Sequence, residues 1–179
     1  MFHPELKTLQ STRKAKPLVL LAIAAAALCM SQTSMATDVT GIVSVSASVT
    51  PDCAVGTSTL AFGSASSATI QAGNVDATGT VSVNCTAGVG YTIKLDVGAG
   101  AGATFASRKM TSGANLLNYS IYDSAGRTSV WGDGTGATVT VASTGTGAAQ
   151  SISAYGRIFG AQTPPPGTYT DTVNVTVSY

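Results

Sequence analysis

The chain has 179 residues and a formal net charge of +1, and only 9% of its residues are charged. After residue 16 it has no basic stretch of the kind that holds a phosphate backbone, which argues against nucleic acid as a partner. Its length leaves room for one domain of ordinary size after an N-terminal targeting segment.

The first element in chain order is a predicted secretory signal peptide. Four basic residues between Lys7 and Lys16 precede the apolar run Pro17–Met30, and Ser34-Met35-Ala36 places small residues where signal peptidase reads them. The run is too short to span a bilayer comfortably, and no second apolar run approaches membrane length. We expect a signal peptide at residues 1–36, cleavage after Ala36, export to the periplasm and no stable membrane insertion. The alternative is an uncleaved anchor.

Cleavage after Ala36 would leave a chain with very few catalytic side chains. It would remove the single histidine (His3) and the single glutamate (Glu5), leaving five basic residues and seven aspartates. General acid–base chemistry near neutral pH usually draws on His, a tuned Glu or Lys, or Cys, and a serine nucleophile here would lack its usual base. The composition therefore predicts a protein that is not an enzyme and that has no catalytic, cofactor-binding or metal site.

The mature chain opens with a segment that is predicted to be extended. Val43, Val45, Ala47 and Val49 alternate with serines, and Val39 falls on the same face. This period of two is typical of a β-strand with one apolar face. Pro51, which cannot donate to a ladder, follows directly. The pattern alone leaves two topologies open, because the strand could join its own sheet or insert into the sheet of a neighbouring chain.

The body of the chain shows further short segments with the same alternation, separated by glycine-rich turns, and few good helix formers. This pattern is typical of an antiparallel β-sandwich. The predicted inner faces are Val81, Val83 and Cys85; Tyr91, Ile93, Leu95 and Val97; Leu117, Tyr119 and Ile121; Val139 and Val141; Ile152, Ala154 and Ile158; and, in the last strand, Val173, Val175, Val177 and Tyr179.

Two cysteines remain after the predicted cleavage, Cys53 and Cys85. An even pair in an exported chain is expected to form a disulfide. The closed loop of about 30 residues would stabilise the fold by roughly 3–4 kcal/mol on chain-entropy reasoning. A zinc site is disfavoured because it would need four ligands, and the mature chain has no histidine and no third cysteine to supply the others.

Three stretches resemble the spore coat U domain family, whose members include subunits of archaic (Csu-type) chaperone–usher pili. They are TGIVSVSASVTPDC (residues 40–53), LLNYSIYDSAGRTSVWGDGTG (residues 116–136) and YGRIFGAQTPPPGTYTDTVNVTVSY (residues 155–179). The resemblance implies an incomplete immunoglobulin-like β-sandwich that lacks one strand. It divides the chain into a signal peptide (1–36), an N-terminal donor strand (37–50) and a pilin domain (51–179).

The resemblance also implies how the missing strand is supplied. A periplasmic chaperone would lend a strand to the last strand of the domain, at Val173, Val175, Val177 and Tyr179. At the outer-membrane usher, the donor strand of the next subunit would replace it, through Val39, Val43, Val45, Ala47 and Val49. The small side chain of Ala47 suggests a shallow pocket opposite it. The implied function is a structural subunit of a surface pilus, assembled head to tail, that supports adhesion and biofilm formation.

Two other functions remain open at this point. One is a self-contained secreted coat or matrix protein of the same family that does not polymerise. The other is a small carbohydrate-binding module, in which Tyr119, Tyr122, Trp131 and Tyr155 would line a sugar groove.

Overall fold

The structure, a computed structural model, describes residues 35–179. Most of the predicted signal peptide therefore lies outside the described residues. The chain divides into the units Met1–Val45 and Ser46–Tyr179. Within the described part of the first unit, no residue belongs to a helix or strand. Among the described residues, no helix is long and apolar enough to cross a membrane.

The second unit contains ten strands and one short helix. In chain order they are β1 (Cys53–Val55), α1 (Ser67–Ala72), β2 (Val75–Cys85), β3 (Gly90–Leu95), β4 (Arg108–Ser112), β5 (Asn115–Tyr122), β6 (Val130–Trp131), β7 (Thr138–Val139), β8 (Val141–Thr144), β9 (Ala149–Ile158) and β10 (Val175–Ser178).

The strands form two sheets. The larger has the order β1-β2-β9-β5-β6-β7, with β4 also paired to β5, and the smaller has the order β10-β3-β8. All pairs are antiparallel except β6 with β7. One hydrophobic cluster contains residues of both sheets, including Val83 and Ile93, which are fully buried. The predicted antiparallel sandwich is therefore confirmed.

Trp131 and Arg108 are large side chains that are fully buried. The indole Nε1 of Trp131 donates to the carbonyl of Ile93 at 3.1 Å. The guanidinium of Arg108 donates to the carbonyls of Asp96 and Trp131, each at 2.8 Å, and its burial lowers the pKa. A buried charge is costly unless it is hydrogen-bonded, so Arg108 acts as a cross-link between strand ends and loops.

Several predicted elements differ from the observed ones. The third predicted strand, expected to reach Val97, ends at Leu95, because the Asp96 carboxylate accepts from the amide of Gly98 at 2.9 Å and starts a turn. The segment around Val139 and Val141 is split between β7 and β8, which belong to different sheets. The last strand is shorter than predicted, because only Val175–Ser178 pair with β3.

One short helix was not predicted. It follows Ser66, whose side chain accepts a hydrogen bond from the amide of Thr69 at 3.1 Å. A serine at this position satisfies a backbone donor that the first helical turn leaves unpaired. Ile70 is the buried residue of the helix. Burial of this one apolar side chain and the serine cap together hold a six-residue helix that would not form in isolation.

Candidate functional site

The smaller sheet ends at β10. On one side β10 pairs with β3, with Val175 opposite Leu95 and Val177 opposite Ile93. On its other side, no strand among residues 35–179 pairs with it. The amide of Asp96 donates to the carbonyl of Asn174 at 3.1 Å, so in this antiparallel register the amides of residues 176 and 178 point toward β3. The amides of Val175 and Val177 therefore point toward the unpaired edge.

A groove of about 960 Å³ runs beside this edge. One wall is the segment Ser58–Ser67, called here the N-terminal wall. The other is formed by residues between Pro164 and Val175, called the C-terminal wall. The floor is apolar and comes from both sheets and α1: Ile70, Val81, Leu95, Met110, Leu117, Tyr119, Ile121, Ala154 and Ile158. All lining residues lie between Ser58 and Val175. The groove is thus an opening into the core that is flanked by two walls.

The N-terminal wall lies against the sheet because two facing positions carry no side chain. A Cβ atom at Gly79 would lie 2.7 Å from the Cα of Leu60, and one at Gly156 would lie 2.7 Å from the Cζ of Phe62. Gly79 and Gly156 are on adjacent strands, β2 and β9. Their missing side chains let Leu60 and Phe62 reach the interior, and Phe62 packs edge-on against Tyr119 with ring centroids 6.0 Å apart. This arrangement sets the width of the groove.

The C-terminal wall is fastened by two aspartates. Asp171 accepts from the hydroxyl of Tyr119 at 2.7 Å and from the amide of Ala99 at 2.8 Å. Asp96 accepts from the amide and side-chain nitrogen of Asn174 at 2.9 and 2.6 Å. These bonds fix the chain directly before β10, so the unpaired edge is held in place without a partner strand.

The pKa shifts of these groups follow from their contacts. Burial, and then the hydrogen bond to the Asp171 carboxylate, raise the pKa of Tyr119, which stays a neutral donor. Burial opposes ionisation of Asp96, but its hydrogen bonds from Asn174 and Gly98 outweigh that cost and lower its pKa. Within the described part of the chain, Asp171 is the one charged residue that lines the groove. The groove is thus suited to an apolar, uncharged occupant.

Replacement of Asp96 by asparagine is expected to weaken the attachment of β10 and to reduce the acid sensitivity of the fold. A carboxylate with a depressed pKa stabilises the fold above its unfolded pKa of about 4, and this stabilisation is lost as the pH falls through the lower folded value. Asp96→Asn removes the charge and places the new side-chain amide nitrogen next to the side-chain amide nitrogen of Asn174. Because two donors then face each other, the free energy of unfolding should fall by about 1 kcal/mol. Thermal unfolding at pH 7 and pH 3 should show a smaller difference for Asp96→Asn than for the wild type.

The matched control for Asp96→Asn is Asp38→Asn, which alters an exposed aspartate of the predicted donor strand. It should leave both melting temperatures unchanged. A variant at Asp96 that keeps the full wild-type acid sensitivity would show that this carboxylate does not hold β10.

The predicted donor strand is fully exposed. Val39, Val43, Val45 and Val49 each expose 85–92% of their surface, and Ala47 is also exposed. No residue between 35 and 52 belongs to a strand, because a β-strand is defined by a ladder partner and no residue of the described range 35–179 pairs with this segment. Exposed apolar side chains in such a row mark an interaction surface. Whether the segment pairs with a neighbouring copy stays a prediction.

The predicted residues of the last strand fall in three environments. Val173 and Val175 line the groove, Val177 packs against the core, and Tyr179 is 58% exposed. The disulfide between Cys53 and Cys85 is present and joins β1 to β2 in register.

The sequence did not single out Leu60 and Phe62 of the N-terminal wall. The only indication in the sequence is that these two large apolar residues stand two positions apart among small and polar ones.

The aromatic residues do not form the exposed platform that a sugar-binding module would need. Tyr119, Tyr122 and Trp131 are buried, and Tyr155 is half-buried, with its ring 5.9 Å from the guanidinium carbon of Arg127. These side chains serve the core and its edges, which counts against the carbohydrate-binding interpretation.

Taken together, the fold and the groove define a β-sandwich that is one strand short. Residues 39–176 match the Spore Coat Protein U domain, and the chain belongs to this family. No curated protein matches the chain in a sequence search.

Among the solved structures similar to this chain are two subunits of pili. One is the CsuC–CsuE chaperone–tip adhesion subunit pre-assembly complex from the archaic chaperone–usher Csu pili of Acinetobacter baumannii, with 22% identity and a TM-score of 0.50. The alignment covers 73% of this chain and 40% of that chain, so this chain spans well under half of the CsuC–CsuE chain it matches. The other is the P pilus rod subunit PapA, with 15% identity, 71% and 98% coverage and a TM-score of 0.45.

Proposed function

We propose that the protein is a structural subunit of a surface pilus, assembled by donor-strand complementation through a chaperone–usher pathway. The observation that carries the proposal is the combination of an open apolar groove beside β10 with a row of exposed valines in the same chain. Membership of the Spore Coat Protein U domain family and the fold shared with the Csu complex support it.

The occupant proposed for the groove is the donor strand, residues 37–50, of a second copy. Residues 39–49 span about 35 Å when extended, at roughly 3.3 Å per residue. One face carries only small or branched apolar side chains, which suit a groove with an apolar floor. The serines of the opposite face would remain in solvent. Each subunit would then give a strand to one neighbour and receive one from another.

The energetics favour a stable fibre built from a less stable subunit. Burial of Val39, Val43, Val45, Ala47 and Val49 would contribute about 5–8 kcal/mol at about 25 cal/mol per Å². Each ladder hydrogen bond to the edge of β10 would add about 0.5–1.5 kcal/mol. This gain is comparable to the whole stability of a small domain. A head-to-tail insertion does not close on itself, so it propagates into a polymer.

The other partners proposed are a periplasmic chaperone and an outer-membrane usher. The chaperone would pair with the unpaired edge of β10, along Val173, Val175, Val177 and Tyr179, until the donor strand of the next subunit replaces it. The finished polymer would lie on the cell surface and support adhesion and biofilm formation. This function requires no enzyme activity and no cofactor.

Two complementary variants test the head-to-tail arrangement. Val43→Asp with Val45→Asp disables the donor strand, and Ala154→Phe fills the groove floor, where Ala154 is 4% exposed. Each variant alone should stay monomeric, and circular dichroism should confirm that each is folded. Mixed together, they should form a dimer and nothing larger, because one intact groove meets one intact donor strand.

The size distribution of the mixture, measured by size-exclusion chromatography with light scattering, decides the matter. A mixture that stays monomeric, or a wild-type chain that forms no polymer when its chaperone is removed, would contradict the proposed function. Both results would favour the alternative of a self-contained coat or matrix protein.

A further inference from the structure

The donor strand leaves the domain at a point that is fixed by several bonds. The carbonyl of Asp52 accepts from the amide of Thr86 at 2.9 Å, and the amide of Asp52 donates to the Thr86 hydroxyl at 3.0 Å. The same hydroxyl donates back to the Asp52 carbonyl at 3.2 Å. The next residue, Cys53, is bonded to Cys85. Two consecutive residues at the exit are therefore attached to two consecutive residues at the end of β2.

Thr86 in turn rests on a second loop. The amide of Gly147 donates to the carbonyl of Cys85 at 3.0 Å, and the amide of Gly88 donates to the carbonyl of Gly145 at 2.9 Å. Gly145 packs so closely that a Cβ atom there would lie 2.9 Å from the Cβ of Cys85. The end of β2, to which Asp52 and Cys53 are attached, is therefore itself held by the loop at residues 145–147.

Only two residues separate the fixed Asp52 from Val49, the last apolar residue of the donor strand. They are Thr50 and Pro51. At most about 11 Å can separate the Cα atoms of Val49 and Asp52. Proline fixes its own φ angle and restricts the residue before it to extended conformations. The connection between the domain and its donor strand is therefore short and has few conformations.

We propose that Thr86 is a positioning residue that, with the Cys53–Cys85 disulfide and Pro51, sets the angle between consecutive subunits. The inference rests on the proposed function, since it concerns the joint between a subunit and the donor strand it gives away. The inference assigns a mechanical role to Thr86, Pro51 and the disulfide, none of which lines the groove. The direction of the donor strand is set by its exit from the domain, and the stiffness of the fibre follows from this joint.

The experiment measures the bending of polymers in negative-stain electron micrographs. Thr86→Val keeps the shape of the side chain and removes both hydroxyl bonds, and Thr86→Ser keeps them. A third variant carries Gly-Ser-Gly-Ser between Thr50 and Pro51. We expect the insertion to shorten the persistence length at least about twofold, because Gly/Ser linkers behave as flexible coils. Thr86→Val should shorten it by a smaller factor, and Thr86→Ser should restore the wild-type value.

The melting temperature and the yield of polymer separate a positioning role from a structural one. Both should stay at the wild-type level in the three variants, because the groove and donor strand are unaltered. Polymers of the insertion variant that are as stiff as the wild type would overturn the inference. So would a Thr86→Val variant that bends no more than Thr86→Ser. Failure of the wild-type chain to polymerise would count against the proposed function instead.

Discussion

Val43→Asp combined with Val45→Asp is expected to abolish the polymer and to leave the folded domain intact. Val43 and Val45 are 85% and 89% exposed, so the domain loses no packing when they change. In the groove of a neighbour, the two carboxylates would lie on an apolar floor, and burial of each unpaired charge costs several kcal/mol. Denaturing gels without boiling should show a ladder for the wild type and a single band for the variant.

The matched control is Ser44→Asp combined with Ser46→Asp, which places the same two charges on the opposite face of the strand. This control should polymerise at close to the wild-type level, because its side chains stay in solvent. Both variants should still form a complex with the chaperone, because the proposed site of chaperone pairing is β10 and not the donor strand. A ladder of normal length from the Val43/Val45 variant would contradict the proposed role of this segment.

Removal of the disulfide by Cys53→Ala with Cys85→Ala is expected to lower the free energy of unfolding by about 3 kcal/mol. The bond closes a loop with a sequence separation of 32 residues and holds β1, a strand of only three residues, at the edge of the larger sheet. Chemical denaturation of the exported domain gives the measurement.

Reducing agent provides the control for this second prediction. It should lower the stability of the wild type by a similar amount and leave the double-alanine variant unchanged. A loss below about 1 kcal/mol, or two free thiols in exported wild-type protein by mass spectrometry, would show that the disulfide does not hold β1.

Much of the sandwich was predictable because several of its strands place apolar residues at every second position. Val81, Val83 and Cys85 are buried in β2, and Leu117, Tyr119 and Ile121 are buried in β5, on the faces that the alternation indicated. In β2, a one-residue shift would move Val81, Val83 and Cys85 to the opposite, less buried face, so there the pattern fixes both the strand and its inner face.

The N-terminal wall could not be predicted because it depends on distant residues. Leu60 and Phe62 enter the interior only because Gly79 and Gly156 leave room for them, and a lone glycine in a strand predicts no particular neighbour. Arg108 is a similar case. A charged residue is normally assigned to the surface, and its burial depends on carbonyls supplied by three separate segments. Both features are tertiary and leave no local pattern.

The groove itself was implied by family resemblance and not by residue pattern. An alternating last strand indicates only that one face is buried, and it does not indicate how many neighbours the strand has. Among residues 35–179, the absence of a second partner for β10 depends on where the chain before it runs. Thr170 first bridges to Thr111 at the edge of β4, and the chain then crosses to β3. This switch between sheets leaves the outer edge of β10 open.

Amide hydrogen exchange at β10 tests most directly whether this edge is vacant and is filled by another copy. The sample is the dimer of the Val43→Asp/Val45→Asp variant with the Ala154→Phe variant. It is compared with the Val43→Asp/Val45→Asp monomer alone. In the monomer, the amides of Val175 and Val177 should exchange fast, while that of Thr176, which faces β3, should be protected. In the dimer, all three amides of the Val43→Asp/Val45→Asp protomer, whose groove receives the donor strand, should be protected. Isotope labelling of this protomer alone separates its amides from those of its partner. Protection of Val175 and Val177 in the monomer, or its absence in this protomer of the dimer, would contradict the account.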